Sequence, residues 1–324
     1  MPIIEKSSYS ERPYYFKNGH FETIIPSFLG KVNGVVYERE RIPTPDDDFL
    51  DIDWVKNGHS RLLMLSHGLE GNSERYYIKS MAKYFSAQGW DILAWNYRSC
   101  SGEMNRSLRL YHHGVTDDFE TVLNRGLDNN NYSQVALAGF SMGGSTTLKF
   151  LGEQGENVDA RIVAAAVFSV PCNLWDSAVQ LKKKENRFYT KRFLKKIKKK
   201  ISIKASMHPN KIDTTGLDKI TTFDELDERY TAPLHGFNSA EHFYTSSTSD
   251  QFYDNIKIPS LIVNAINDPM LGEKCYPYDL ARDHPFLYLE TPEIGGHVGF
   301  SLKRKNHSWM DERAYEFISE QLKN

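Results

Sequence analysis

The sequence is poor in the features that define several large protein classes. Its three cysteines, Cys100, Cys172 and Cys275, are odd in number, widely spaced and form no C-x-x-C pair. That argues against a disulfide framework or a zinc site and fits a reducing compartment. No apolar run approaches the roughly 20 residues that a spanning helix needs. The opening stretch MPIIEKSSYSERPYY carries Glu5, Lys6, Glu11 and Arg12 and no apolar core, so it does not read as a signal peptide. A soluble, cytoplasmic protein is expected. Neither sign of charge dominates, because 40 Lys and Arg stand against 42 Asp and Glu, a formal net charge of −2. Nucleic acid is therefore not the expected partner. There is no H-E-x-x-H and no other metal-ligand spacing, and the adjacent His112 and His113 face different ways. Neither a metal nor another cofactor is expected.

What is present is an alternation of two kinds of segment. Six short runs are apolar and β-branched, most of them throughout: LLMLS (62–66), DILAWN (91–96), QVALAG (134–139), RIVAAAVFS (161–169), SLIVNAI (260–266) and FLYLE (286–290). Parallel strands covered on both faces read this way. Two earlier runs, VVYERERI (35–42) and FLDIDWV (49–55), bring the expected strands to eight. In the second, Leu50, Ile52 and Trp54 alternate with Asp51 and Asp53, the pattern of a half-exposed antiparallel strand. Helical stripes lie between the strands. Ile78, Met81, Ala82 and Phe85 form one, with Gly89 as its stop. Phe119, Val122 and Leu123 follow Thr116, where Asp117 and Asp118 suit a first turn. Ser308 with Asp311 opens a last helix, whose stripe is Ala314, Phe317, Ile318 and Leu322. At 324 residues this suits one large α/β domain with an insertion, or two smaller domains. No internal repeat is present.

The alternation breaks between about residues 172 and 250. Segment 181–204 holds twelve Lys and Arg against one Glu, a local charge of +11, which leaves −13 for the rest. Phe193, Ile197 and Ile201 recur every four residues, so an amphipathic helix is expected. Two readings stand. The segment is a solvated helix whose Phe188, Phe193, Ile197 and Ile201 pack on the core. Alternatively it is a lid that steers anionic substrates or makes weak contact with an anionic membrane.

One turn carries chemistry. LAGFSMGGS (137–145) sets Ser141 between a strand and a helical pattern, flanked by Gly139, Gly143 and Gly144. A nucleophilic serine needs such a turn, since small neighbours leave its hydroxyl uncovered. By itself the motif also fits a tight corner with an idle serine. The rest of the chain adds what acyl transfer requires. The loop LSHGLEGNSE (65–74) offers the Leu69 N–H as an oxyanion donor beside that of Met142, with His67 as a turn residue. Asp268 follows a strand as a candidate acid, although Asp268-Pro269 also fits a plain turn and Asp283 is a rival. His297 stands among Gly295, Gly296 and Gly299, which would let its imidazole swing over the sheet edge. The order Ser141, Asp268, His297 is that of α/β-hydrolases.

These residues sit in a chain that resembles the YheT-like α/β-hydrolases, a group related to the animal α/β-hydrolase-domain lipases and esterases. The likeness covers nearly the whole length. It is carried by NGHFETIIP (18–26), HGLEG (67–71), NYRSCSG (96–102), YHHG (111–114), GFSMGG (139–144), FDELDERYTAPLHGF (223–237), AEHFY (240–244), NAINDPM (264–270) and GGHVGF (295–300). Ser99 and Ser101 stand where the family commonly has glycines and are expected to alter the pocket wall. Asn267 stands where an aspartate is common and leaves the acid in place. The resemblance implies an α/β-hydrolase fold, an eight-stranded, mostly parallel sheet with helices on both faces. A helical cap at 172–250 would be inserted between core parts 1–171 and 251–324. It also implies a serine esterase with Ser141, Asp268 and His297 as triad, acting on a small-molecule ester, acyl lipids included. A thioesterase or acyltransferase with the same triad, or a non-catalytic binding protein on the same fold, are the other readings.

Overall fold

Short apolar runs suit a sheet covered on both faces, and all six such runs contribute strands to one. A computed structural model of the chain describes residues 3–10, 12–14, 16–128, 132–303 and 305–322. Glu11 of the opening stretch lies outside the described residues. The strands are β1 (Ile3–Ile4), β2 (Glu38–Pro43), β3 (Phe49–Val55), β4 (Arg61–Ser66), β5 (Asp91–Asn96), β6 (Gln134–Phe140), β7 (Ile162–Phe168), β8 (Ser260–Val263) and β9 (Leu287–Glu290). They form a single sheet in the order β1-β9-β8-β7-β6-β4-β5-β3-β2. Only the β5–β3 and β3–β2 pairs are antiparallel. The sheet has nine strands where eight were expected. The addition is β1, whose two residues pair in parallel with Leu289 and Glu290. Two residues are too short for any periodicity to reveal.

The helices are α1 (Gly19–Leu29), α2 (Tyr76–Ala87), α3 (Thr116–Leu127), α4 (Met142–Gln154), α5 (Leu174–Lys182), α6 (Arg187–Met207), α7 (Phe223–Leu226), α8 (Ala232–Leu234), α9 (Ala240–Ser247), α10 (Tyr278–Arg282) and α11 (Trp309–Gln321). The expected stripes become the two faces of the core. Phe119, Val122 and Leu123 of α3 join Leu148 and Leu151 of α4 in one cluster. Ile78, Met81 and Phe85 of α2 join Ala314, Phe317 and Ile318 of α11 in the other. Gly89 takes φ +82° just beyond α2, and Ser308 and Asp311 form the capping box of α11. Among the described residues no helix is long and apolar enough to cross a membrane.

Strand β3 corrects a reading of its pattern. Asp51 and Asp53 are buried, although their alternation with Leu50, Ile52 and Trp54 pointed to a half-exposed strand. Arg41 and Arg39 stand opposite them on β2 and bond them at 2.8 and 2.7 Å. Ser101 Oγ, from the loop after β5, donates to Asp51 Oδ2 at 2.6 Å. A polar strand face can therefore be buried once each carboxylate has a cation opposite it. The same loop holds the fully enclosed Arg98, which bonds Asp118 at 2.7 Å and Asp46 and Asp48 at 2.9 Å. Asp118 thus does more than open α3.

Between β7 and β8 the chain leaves the sheet and forms α5 to α9. Helix α6 buries Leu194 and Ile201 against Leu217, Leu226 and Tyr230, with Phe193 and Ile197 packed beside them. Its basic residues are not uniformly solvated. Lys204 is enclosed, donates to the Asn105 and Ser107 carbonyls, and is held by burial down at about 8. Phe188 departs from the expected packing and is 50% exposed.

Replacing Arg98 by Met leaves the enclosed Asp48 without its cation and Asp118 with Arg109 alone, at 3.2 Å. Urea unfolding is expected to show a loss of about 3–5 kcal/mol.

Candidate active site

Strand β6 ends at Phe140 and α4 begins at Met142, so Ser141 alone makes the turn. It does so at φ +53° and ψ −121°, backbone that residues other than glycine avoid. Its N–H donates to Phe168 O of β7 at 2.8 Å. Two glycines allow the approach. A Cβ on Gly143 would lie 2.3 Å from Ser66 O, and one on Gly139 would lie 2.6 Å from Gly143 O. The turn is thus pressed against the end of β4, with the positive end of α4 beside the hydroxyl.

Asp268 follows β8 and His297 follows β9. His297 Nδ1 lies 2.8 Å from Asp268 Oδ2, and Nε2 lies 2.9 Å from Ser141 Oγ. The Asp268 side chain is enclosed, and its Oδ1 accepts the Met270 N–H at 2.8 Å. A carboxylate on Nδ1 keeps the hydrogen there and leaves Nε2 bare to accept from the serine. All three residues expected from the sequence therefore meet. Asp283, the rival acid, is exposed at the end of α10.

The loop after β4 faces Ser141. A Cβ on Gly68 would lie 3.1 Å from Ser141 Cβ. The Gly68 N–H donates to Tyr77 Oη at 3.1 Å and the Glu70 N–H to Tyr111 Oη at 3.0 Å. The Leu69 N–H between them has no protein acceptor among the described residues. Met142, first in its helix, likewise has no acceptor in its own ladder. His67 is fully buried. Its Nδ1 bonds Gly68 O at 2.8 Å, and the Tyr97 N–H donates to its Nε2 at 3.3 Å. One partner only accepts and the other only donates, so the ring is neutral with its hydrogen on Nδ1. Burial pushes it down to about 3.

Sequence reasoning missed the clasp that positions the other two residues. Helix α1 buries Gly19, Glu22, Thr23 and Pro26, a polar stripe at helical spacing. Glu22 Oε2 accepts from Asn267 Nδ2 at 2.7 Å and from the Gly295 N–H at 3.0 Å. Asn267 Oδ1 accepts the Gly296 N–H at 3.0 Å, and Thr23 Oγ1 accepts the His297 N–H at 2.8 Å. The acid loop and the histidine loop are thus tied to one helix. The glycines around His297 serve this packing. A Cβ on Gly299 would lie 2.4 Å from Glu22 O. The only signal for the clasp was the NGHFETIIP likeness, because a buried glutamate leaves no hydropathy trace.

A cavity beneath the cap opens onto Ser141 and His297, with about 1050 Å³ of empty space including its open mouth. Leu110, Leu174, Ile197, Ile201 and Phe223 give it an apolar wall. Ser99 and Ser101 do not line it, contrary to expectation. Their hydroxyls bond Asn105 and Asp51 in the loop behind. His112 and His113 do border it, and burial lowers the pKa of both. Among the described residues no group of three or more His, Cys, Asp or Glu converges on a metal position.

The Hydrolase_4 family model, described as serine aminopeptidase, S33, matches residues 58–271. YheT of Escherichia coli strain K12, an esterase by designation, is 28% identical over 315 residues, 95% of this chain and 92% of that one. The phospholipase ABHD3 of Homo sapiens is 26% identical over 329 residues, 98% of this chain and 80% of that one. Among solved structures, the esterase Pf2001 of Pyrococcus furiosus aligns with a TM-score of 0.58 at 16% identity, over 88% of this chain and 92% of that one. This last likeness is one of fold.

His67 makes stability depend on pH. Its folded value lies near 3 against an ordinary 6.5, so between these limits the unfolded chain binds the extra proton. Stability therefore falls as pH drops below 6.5, by up to about 1.4 kcal/mol per pH unit from this residue. The contribution levels off below about 3. Urea unfolding across that window is expected to lose about one proton's worth of slope in His67→Gln.

Proposed function

We propose that this chain, which belongs to the Hydrolase_4 family of α/β-hydrolases, hydrolyses carboxylic esters through an acyl-enzyme on Ser141. The carrying observation is the unbroken series Asp268, His297, Ser141 at the mouth of an apolar cavity. His297 Nε2 takes the hydroxyl proton as Oγ attacks the ester carbonyl carbon. The carbonyl oxygen becomes an oxyanion and is met by the Leu69 and Met142 amides. A preorganised donor of this kind contributes on the order of 3 kcal/mol. The acyl–oxygen bond then breaks, His297 returns the proton to the leaving alkoxide, and Asp268 stabilises the transient imidazolium. Water, deprotonated by the same imidazole, cleaves the acyl-serine and releases the carboxylic acid. The acyl chain occupies the apolar cavity.

The family description also raises peptide substrates with a free amino terminus. An aminopeptidase needs an unpaired carboxylate to receive the substrate's ammonium. Of the two acids bordering the cavity, Glu70 pairs with Lys200 at 2.7 Å. Burial pushes Asp227 up to about 6, with Thr231 and Tyr244 hydroxyls on its oxygens. Neither is free for that role, which favours the ester. The relatives named as esterase and phospholipase support the same choice.

An active-site fluorophosphonate is expected to label the wild type and not Ser141→Ala. Undiminished labelling of the variant refutes the nucleophile. Faster turnover of short p-nitrophenyl esters than of acyl-CoA is expected, and the reverse order makes the protein a thioesterase.

A further inference from the structure

Ser141 and His297 stand where two cavities meet. The apolar one lies beneath the cap. The other lies on the α1 side, and Arg75, Arg192 and Lys196 border it together with Tyr189, Ser141 and His297. Helix α6 divides the two. Ile197 and Ile201 face the apolar side, while Tyr189, Arg192 and Lys196 face the other. Residues 192 and 196 are one turn apart and share a face.

The three cations are crowded. Arg75 Nη2 and Lys196 Nζ converge on the same acceptor, Glu70 O, at 2.7 and 3.2 Å. Among the described residues none of the three pairs with a carboxylate. Glu70 and Glu74 also border this cavity, but their carboxylates are engaged, Glu70 by Lys200 at 2.7 Å and Glu74 by Lys79 at 2.9 Å. Burial and then repulsion from Arg75 lower both Arg192 and Lys196. Like charges held together in a partly buried cleft oppose one another, and a bound anion removes the opposition. Arginine forks suit phosphate oxygens in particular.

We propose that this second cavity is a subsite for a phosphate group on the alcohol half of the ester, held by Arg75, Arg192 and Lys196 while the acyl chain fills the apolar cavity. The proposal rests on the ester-cleaving reading of Ser141. The acyl–oxygen bond breaks, the proton on His297 passes to the alkoxide, and the phosphate-bearing alcohol leaves through the cationic cleft. The acyl group stays on Ser141 until water removes it, and the phosphate's own ester bond is untouched.

The test compares 1-hexanoylglycerol with 1-hexanoylglycerol 3-phosphate, both as monomers in solution. Turnover is measured with the wild type and binding with Ser141→Ala. A preference for the phosphate ester of about tenfold in kcat/KM is expected, the equivalent of one charge-assisted contact. In Arg192→Gln and in Lys196→Gln the ratio should collapse toward unity. It should persist in Lys199→Gln, which removes an exposed charge from the same helix. Because a ratio is read, partial unfolding of a variant does not mimic the effect. Equal handling of the two esters overturns the proposal, as does an equal collapse in Lys199→Gln. A preference that arises only with phosphatidylglycerol vesicles, and not with monomers, assigns the charge to a lipid surface and also overturns it. If neither ester turns over, the reaction assigned to Ser141 fails and binding decides the subsite. Tighter binding of the phosphate ester, lost on adding Arg192→Gln, sustains it, and equal binding ends it.

Discussion

The structure is organised around one strained residue. Ser141 is held at φ +53° between β6 and α4, a conformation that costs about 1–3 kcal/mol and persists only where its surroundings over-determine it. They do so from three sides. Phe168 O takes its N–H. The Ser66 and His67 carbonyls press on Gly143 from the end of β4. Helix α4, buried along most of its length, cannot move away. The central parallel strands are the frame for this turn, and their apolar sequences follow from burial on both faces.

Everything else in the site is brought to that fixed hydroxyl by loops, and loops need anchors. The β4 loop is pinned by tyrosine hydroxyls on either side of Leu69, which leaves one amide pointing at no protein acceptor. The acid and histidine loops are pinned by α1, a helix that buries its polar residues. Glu22 is enclosed by hydrogen bonds from both loops and by Arg12 at 2.7 Å. A buried carboxylate without such partners would be strongly destabilising. The clasp is therefore rigid, and it couples a segment near the start of the chain to the Asp268 and His297 loops near its end. Helix α6 adds a division of space. Its apolar stripe faces one cavity and Arg192 and Lys196 border the other, while Arg187, Lys191, Lys195 and Lys199 form a solvated face.

Much was legible before the structure. Eight strands, the stripes of α2, α3 and α11, and the order Ser141, Asp268, His297 all show in linear patterns. Each such pattern reports the immediate neighbours of a residue: periodicity for burial, glycine for close approach, Ser308 with Asp311 for a helix start. The misreadings share a cause. Asp51 and Asp53 looked exposed because alternation reports polarity, and a polar side chain opposite an arginine is as well housed as one in water. Ser99 and Ser101 were assigned to the pocket wall by likeness, whereas their hydroxyls hold the loop behind it. β1 was invisible because its two residues borrow their regularity from β9.

The sequence by itself determined the fold class and named the three residues that meet at the turn, since apolar periodicity, turn glycines and the order Ser141, Asp268, His297 are properties of a linear string. Tertiary structure alone decided how those groups are aimed, what restrains them and what reaches them. Glu22 and Asn267 lie 245 positions apart, and the cations that share Glu70 O come from α6 and from the loop before α2. Hydrogen bonds and charge pairs of this kind depend on distances in space, and no local pattern in a chain encodes them.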